Sequence, residues 1–434
     1  MIGQSPRKGD CHFYAMKISI LTYGSRGDVQ PFLPLSLGLM ANGHSVTLAA
    51  PSRFKDLVEE HSINFMPLAG EPEDLSRRLN DAGNNFVKML REMMDHAIEI
   101  GADVLQQTEE ACQDADLIIH TFSHAAGAHT LACEMDIPDI HIQMFPMFTP
   151  TGDYPNVNLP DLKLPALNRF THFISQKVSW WTSMFGFEQV RRRARLPKRK
   201  LYWPFEDDPL RARSPILCAW SPSVLPVSSD WSPHAHVTGY YFFPPNNSYK
   251  PPMELQSFLQ AGKPPVCVTF GSMVNRDAER IDQVVCEALR QTGNRGIILS
   301  GWSGIGNRST ADICYIEAIP HDWLLTRCNL VVHHGGAGTT AAGLRAGIPN
   351  IVIPFTADQP FWGKCVYKVG AGPKPILVKN LSVQRLSEAM VKAENNIVRT
   401  YAQVIGQKIK SENGVGNTVK LVEKHSNDFH KDHI

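Results

Sequence analysis

Val332-His333-His334-Gly335-Gly336-Ala337-Gly338-Thr339-Thr340 follows the apolar residues Leu330 and Val331 and opens a helical pattern. A short apolar run ending in glycines and leading into a helix predicts a strand–turn–helix unit of an α/β protein. Gly335, Gly336 and Gly338 let the backbone come close to a ligand. The helix start offers free N–H groups and a partial positive charge, which suits a diphosphate. Thr339 and Thr340 add hydroxyls, and His334 is able to donate to a phosphate oxygen. Read without a ligand, the same residues make a tight strand–helix turn with a satisfied histidine. A metal held jointly by His333 and His334 is disfavoured, because neighbouring strand residues point to opposite faces.

The alternation extends both ways from this stretch. Downstream lie Gly347-Ile348-Pro349, the strand pattern Ile351-Val352-Ile353, and Asp358-Gln359 just after it. The carboxylate and amide of that pair fit sugar hydroxyls, although Asp358 equally fits the N-cap of a helix beginning near Pro360. Upstream, strands are expected at Val266–Phe270, Ile297–Leu299 and Ile313–Ile316, with an amphipathic helix through Ile281, Val285 and Leu289. Nearer the N-terminus, Lys17–Tyr23 and His44–Ala50 read as buried parallel strands. Between them Phe32, Leu33, Leu35 and Leu39 mark a helix stopped by Asn42-Gly43. Leu117–Ile119 and Ile140–Ile142 continue the series. Residues 147–208 lose the pattern and are rich in proline and aromatics, and 222–265 are rich in proline, as a linker would be. The expectation is two doubly wound α/β domains, 16–230 and 240–410, facing across a cleft, with a polar tail at 411–434 that frays.

The 434 residues carry Lys+Arg 43 against Asp+Glu 42, a balance that argues against a nucleic-acid partner. The local exception is the basic run Arg191–Lys200, a solvated helix face or, with Trp180, Trp181 and Phe185 just before it, a peripheral membrane contact. The 9 cysteines are scattered without a Cys-x-x-Cys pair, as in a reducing compartment. With no apolar leader and no run long enough to span a bilayer, a cytoplasmic location is expected.

Ala318-Ile319-Pro320-His321-Asp322-Trp323, the 333–340 run, Gly347-Ile348-Pro349 and Asp358-Gln359 together resemble the donor signature of UDP-glycosyltransferases. Tyr23-Gly24-Ser25-Arg26-Gly27-Asp28-Val29-Gln30-Pro31 resembles the first loop of their sterol-glucosyltransferase and bacterial antibiotic or macrolide branch. The resemblance runs from about Met16 to about Glu388 and implies a GT-B fold, with the acceptor on the N-terminal Rossmann-like domain and the nucleotide sugar on the C-terminal one. By that resemblance His334, Gly336, Gly338 and Thr339 meet the diphosphate, Asp358 and Gln359 hold the sugar, and the backbone of Ile319 and His321 meets the base. Trp302 packs near the base, and Ser272 approaches the phosphates. Where plant members carry Trp and Gln, this chain has Ala318 and His321.

Many relatives use a first-loop histidine as the base; this chain has Asp28 there, as its branch does. A carboxylate in the cleft is able to take the acceptor hydroxyl's proton. Without the resemblance, Asp28 reads as an N-cap of the Phe32 helix. Ser25 and Arg26 are candidates for phosphate contact, Arg26 also for keeping Asp28 ionised, and His120, Phe145 and Trp180 are candidates on the acceptor side. The resemblance thus implies inverting, metal-independent transfer of a hexose, glucose from UDP-glucose, to a sterol, phenolic or macrolide, with no cofactor beyond the donor. A nucleotide-sugar epimerase or hydrolase of the same fold is the alternative. An NAD-dependent oxidoreductase lacks support, since Gly24-Ser25-Arg26-Gly27 does not make the Gly-x-Gly-x-x-Gly turn. The intact set Asp28, His334, Asp358 and Gln359 argues against a non-catalytic relative.

Overall fold

The computed structural model describes residues 15–71, 74–75, 78, 86–157, 159, 163–205, 214–244, 249–271, 278–300 and 309–432. Ser272 and Trp302, both expected near the donor, lie outside the described residues.

The described residues build two sheets. The first has seven strands in the order β3-β2-β1-β4-β5-β6-β7, and the second has five in the order β10-β9-β8-β11-β12. The strands of the first are β1 (Lys17–Leu21), β2 (Ser45–Pro51), β3 (Asn64–Leu68), β4 (Leu117–His120), β5 (Asp139–Gln143), β6 (Ile216–Cys218) and β7 (Ala235–Val237). Those of the second are β8 (Val266–Thr269), β9 (Gly296–Leu299), β10 (Ile313–Ile316), β11 (Leu330–His333) and β12 (Asn350–Val352). Every pairing is parallel. Parallel strands are covered on both faces and so read as continuous apolar runs, which is why Ile18, Ile20 and Leu21 in β1 and Val331 and Val332 in β11 are all buried. Strand order reverses beside β1 in one sheet and beside β8 in the other. Open sheets bind ligands at the carboxyl ends of the strands flanking such a switch point. The first loop follows β1 and the His333–Thr340 turn follows β11, so each lies at one.

Two expectations about the ends of the domains are corrected. The first sheet reaches past residue 230 to take in β7, which pairs with β6. The tail does not fray: Gly414–Asp432 is a helix. Its polar composition hides a narrow apolar stripe, and Val419 and Val422 are buried in the same core as Phe32, Leu35 and Leu39 of the first domain. Gly38 makes the contact possible, because a Cβ there would lie 2.3 Å from Val415 Cγ1. That accounts for a glycine inside a helix, where it costs about 1 kcal/mol relative to alanine. Polar bonds fasten the returning helix: Thr418 Oγ1 donates to the Tyr241 hydroxyl at 2.8 Å, Asn417 Nδ2 to the Thr238 carbonyl at 3.0 Å, and buried His44 Nε2 lies 3.2 Å from Glu423 Oε1.

The two halves also share a core. Fully buried Trp220, after β6, meets fully buried Trp362 with ring centroids 6.1 Å apart. Tyr154, in the irregular segment after β5, lies edge-on to Phe361 at 5.4 Å. These contacts fix the helix Gln359–Lys368 of the second half against the first, and with it Asp358.

Candidate active site

The first loop is built around Asp28. Ser25 is the N-cap of a single-turn helix, Arg26–Val29, and Asp28 is its third residue, closing a capping box. The Ser25 N–H donates to Asp28 Oδ2 at 2.7 Å and the Ser25 hydroxyl to the same oxygen at 2.9 Å. Asp28 is therefore not the cap of the Phe32 helix, whose N-cap is Pro31. Gly24 is required here: its φ is +144°, and a Cβ would lie 2.3 Å from Asp28 Oδ2. Burial raises the Asp28 pKa above the usual aspartate value, and the Ser25 bonds only partly offset this. Arg26 does not hold Asp28 ionised. It is exposed, and its Nε donates to Gln30 Oε1 at 3.0 Å. Ser25 is committed to Asp28 and to the Gly27 N–H, and so serves the loop.

Asp28 opens into an apolar pocket at the carboxyl ends of β1, β4 and β5. Phe32, Phe122, Ile142, Met144, Phe145 and Met147 supply its apolar wall, and Asp28, Thr121 and Gln143 its polar groups. Gln143 is spent internally, with its Oε1 accepting from the N–H groups of Met147 and Phe148 at 3.2 and 3.1 Å. Asp28 is the one ionisable residue of this lining.

Of the acceptor-side candidates, only Phe145 lines this pocket. His120 is fully buried and lies 2.9 Å from Asp139 Oδ2 through Nε2 and 3.4 Å from His141 through Nδ1. It belongs to a network in which Asp139 also meets His129 at 3.0 Å and Ser214 at 2.8 Å. Burial works against charge on His129 and Asp139, yet their attraction prevails, raising His129 to about 9 and holding Asp139 well below the usual range. This buried network joins β4, β5 and the helix Ala125–Met135, and it commits His120 to Asp139 and His141. Trp180 packs on Trp203 at 5.2 Å and is likewise not in the pocket lining. Phe122, Met144 and Met147 carried no motif and were missed. The only available signal was their position just after apolar strands.

Across the cleft, His333 ends β11 as a structural residue: its Nδ1 accepts from the Gly335 N–H at 3.1 Å, and Nε2 faces Asn350 Oδ1 at 3.0 Å. This fixes a neutral ring, and burial takes its pKa to about 3. His334 points the other way, between two glycines: a Cβ at Gly271 would lie 3.0 Å from its Cε1, and one at Gly336 2.5 Å from its Nε2. Burial and the neighbouring His321 bring His334 to about 4, so it is neutral near pH 7. Its Nδ1 and the buried Thr340 Oγ1 have no well-placed hydrogen-bond partner among the described residues. The helix Ala337–Ala346 begins there with Gly336 as N-cap and no capping side chain among the described residues, so its first N–H groups stay available. A Cβ at Gly338 would meet nothing within 4 Å, which leaves open space at the helix start. Thr339 is buried beside it. Ile319 has its side chain in the second domain's core, leaving only its backbone for a ligand. His321 starts the helix His321–Leu325, and burial and the Arg26 charge hold it near 4.

Asp358 holds the N-cap position of the helix Gln359–Lys368 but makes no capping hydrogen bond. Ala357 before it has φ 55°, a strained conformation for a residue with a Cβ, and this presents the carboxylate. Gln359 is buried, and its Oε1 accepts from the N–H groups of Phe355 and Thr356 at 2.8 and 3.1 Å. It thus shapes the loop that carries Asp358. Burial and the charge of Asp28 raise Asp358 to about 7. Asp28 and Asp358 are thus within electrostatic reach of each other across the cleft, as are Arg26 and His321. Among the described residues, no three His, Cys, Asp or Glu side chains are grouped to hold a metal ion.

Two facing Rossmann-like sheets, with an acidic first loop on one and a glycine-rich helix start on the other, define the class: this is the GT-B fold of glycosyltransferases. A glycotransferase of kitacinnamycin superposes with TM-score 0.69 at 18% identity, over 95% of this chain and 99% of its own. The calicheamicin glycosyltransferase CalG4 gives 0.66 at 15%, over 95% and 98%. A spinosyn rhamnosyltransferase solved with thymidine diphosphate gives 0.61 at 18%, over 94% and 100%. Residues 18–151 match the glycosyltransferase family 28 N-terminal domain, and 307–419 match the erythromycin biosynthesis protein CIII-like C-terminal domain. Two sterol 3-beta-glucosyltransferases of Arabidopsis thaliana are 34% and 33% identical, over 94% of this chain and 66% and 68% of their own lengths. One of Kluyveromyces lactis is 34% identical over 94% of this chain and 34% of its own. The protein belongs to the glycosyltransferase family that contains the sterol 3-beta-glucosyltransferases. It spans about two thirds of the plant relatives and about a third of the fungal one.

Proposed function

We propose that the protein transfers a hexose, glucose from UDP-glucose, to a hydroxyl of a hydrophobic small-molecule acceptor, with inversion and without a metal. A sterol is the leading acceptor class, with phenolics and macrolides next. The observation that carries this reading is Asp28: it is the one ionisable group lining an apolar pocket, and its charge reaches Asp358 of the other domain. The plant and fungal relatives, named as sterol glucosyltransferases, support glucose and a sterol. The thymidine diphosphate bound to the spinosyn enzyme supports a nucleoside diphosphate at the helix start.

In this reading the domain of the seven-stranded sheet binds the acceptor and that of the five-stranded sheet the donor. The acceptor hydroxyl lies in the apolar pocket, donating a hydrogen bond to the Asp28 carboxylate. As that oxygen bonds to the anomeric carbon from the side opposite the diphosphate, the bond to the diphosphate breaks and the proton ends on the Asp28 carboxylate. A carboxylate with a raised pKa is a better base than an ordinary aspartate, because its proton affinity lies nearer the working pH. The leaving diphosphate takes up negative charge, which the N–H groups at Ala337–Thr339, the Thr340 hydroxyl and neutral His334 as a donor offset. Those groups would do the work that a divalent cation does elsewhere. Asp358 accepts from sugar hydroxyls, with Gln359 holding its loop. The free thiols at all eight described cysteines support a cytoplasmic location, and no described helix is long and apolar enough to cross a membrane.

The test is a mass-spectrometric transfer assay with purified protein, UDP-glucose, EDTA and a panel of sterols, phenols and macrolides. A product one hexose heavier, formed despite the chelator, is the expected result. Release of UDP and free glucose without a glycoside would make the protein a hydrolase, and an untouched donor would overturn the choice of UDP-glucose.

A further inference from the structure

We propose that the exposed face of the helix Pro165–Ala194 binds the interface of a bilayer bearing anionic headgroups, lying in its plane. Thirty residues form this helix, and it buries only a few of them, among them Asn168, Thr171, His172 and Val190. The opposite side is apolar and open to water. Phe170, Phe173, Ile174, Val178, Trp181 and Phe185 are all exposed, Trp181 at 61% and Phe185 at 54%. At 3.6 residues per turn they fall within a sector of about 140°, a continuous stripe along roughly 25 Å of helix. Scattered exposed apolar residues need no explanation, but a continuous stripe marks a surface with a partner.

The face is not a core surface that has lost its place. The helix is already anchored by its other side: His172 Nε2 lies 3.0 Å from the Tyr154 carbonyl, and the Asn156 N–H donates to Thr171 Oγ1 at 2.8 Å.

Charge selects the partner. Residues 165–200 contain nine Lys and Arg and a single carboxylate, Glu188. The basic run is not wholly available: Arg191 is buried on Glu188 and the Pro197 carbonyl, and Arg199 is bound to Glu109 and Glu134. Arg193, Arg195, Lys198 and Lys200 remain exposed. Lys177 falls within the same sector, its ammonium 5.8 Å from the centroid of the Phe173 ring. Aromatic and aliphatic side chains in one sector, with exposed cations following its C-terminal end and almost no carboxylates, fit an anionic lipid interface better than a protein face. The helix lies on the bilayer and does not span it. Its anchors, Tyr154 and Asn156, follow directly on the Phe145–Met147 segment of the apolar pocket, whose Phe122 is itself 45% exposed.

The test is co-sedimentation of the full chain with vesicles of phosphatidylcholine, with and without phosphatidylserine, in the absence of donor and acceptor. A failure of the transfer reading therefore leaves it untouched. Binding is expected to the mixed vesicles, with a blue shift of tryptophan emission. The double substitution Trp181→Glu/Phe185→Glu should lower the partition coefficient at least about tenfold, and Phe170→Glu/Phe173→Glu should do likewise. All four positions are exposed, so the melting temperature should hold, as surface changes rarely cost stability. High salt should weaken binding without abolishing it. Absence of vesicle binding, unchanged binding by both variants, or complete release by salt would overturn the proposal. So would a wild-type dimer that Trp181→Glu/Phe185→Glu dissociates without any lipid binding, which would assign the stripe to a second copy.

Discussion

Asp28→Asn separates the chemistry from the architecture of the first loop. The Ser25 N–H and hydroxyl reach Asp28 Oδ2 at 2.7 and 2.9 Å. An asparagine carbonyl oxygen accepts both bonds, so the single turn Arg26–Val29 should survive. Replacing charge-assisted bonds by neutral ones costs about 1 kcal/mol. Removing a carboxylate that burial destabilises, beside a second carboxylate at Asp358, works in the opposite direction. The net stability change should stay within about 1 kcal/mol, or about 2–4 °C in Tm for domains of this size. Loss of a general base should lower kcat by about 10²–10⁴, equal to about 3–5.5 kcal/mol of activation free energy. Steady-state transfer by mass spectrometry gives kcat, and calorimetry with UDP-glucose gives donor affinity, which should move less than about threefold. Gly24→Ala supplies the companion measurement. Its Cβ would lie 2.3 Å from Asp28 Oδ2, so the carboxylate must shift by about an ångström, a displacement worth about 10²-fold in rate. A folded Asp28→Asn enzyme with kcat within tenfold of wild type would refute the base assignment. Full activity in Gly24→Ala would refute the claim that this loop positions it.

Asp358→Asn tests the second carboxylate through pH. Asp358 titrates near 7 because of burial and the Asp28 charge, so donor affinity should strengthen as pH rises through 7 in the wild type and flatten in the variant. In Asp28→Asn the same inflection should move to lower pH, and an unmoved inflection would show that the two groups are not coupled. The sign for stability is the reverse: a folded-state pKa raised above the unfolded value means the native form holds the proton more tightly, so this contribution is full below about 4 and lost as pH rises through about 7. Urea unfolding across that range should show the slope in the wild type and a smaller one in Asp358→Asn. His334→Ala should weaken donor binding by about 10–100-fold and lower kcat with it, the worth of a hydrogen bond to a charged group; unchanged kinetics would remove His334 from the phosphate site. Val422→Ala deletes two methyl groups from a fully buried contact with the first domain, which should cost about 2 kcal/mol. An unchanged Tm would mean that the last helix does not dock in solution.

The exposed stripe and the apolar pocket pose one question from two sides. An acceptor that dissolves in lipid has to reach Asp28 through a wall of Phe122, Met144 and Phe145. A helix that rests on a bilayer and is tied to the segment following that wall would shorten the path. The sequence showed the charge of this region, in Arg191–Lys200, more readily than its apolar face. Phe170 to Phe185 are interrupted by serine, threonine and lysine, and only the helical winding gathers them onto one side.

The sequence by itself determined the alternation of apolar runs and amphipathic helices, and through it the two parallel sheets. A strand buried on both faces must be apolar throughout, and that property is local. It also singled out the turns proposed to carry chemistry, because glycines at 335, 336 and 338 and the acidic loop at 24–28 stand out from the apolar runs before them. Side-chain commitments between distant segments were decided only by tertiary structure. His120 and His334 are both histidines at strand ends. One is consumed by Asp139, nineteen residues away, and the other is seated between two glycines with no well-placed partner for its Nδ1 among the described residues. The tail read as polar because a surface helix needs only one apolar stripe, and only the groove beside Gly38 shows where Val415, Val419 and Val422 belong. The raised pKa of Asp358 comes from burial and from Asp28, 330 residues earlier in the chain. No local pattern holds that fact, since a Coulomb interaction depends on distance through space and on the water removed between the charges.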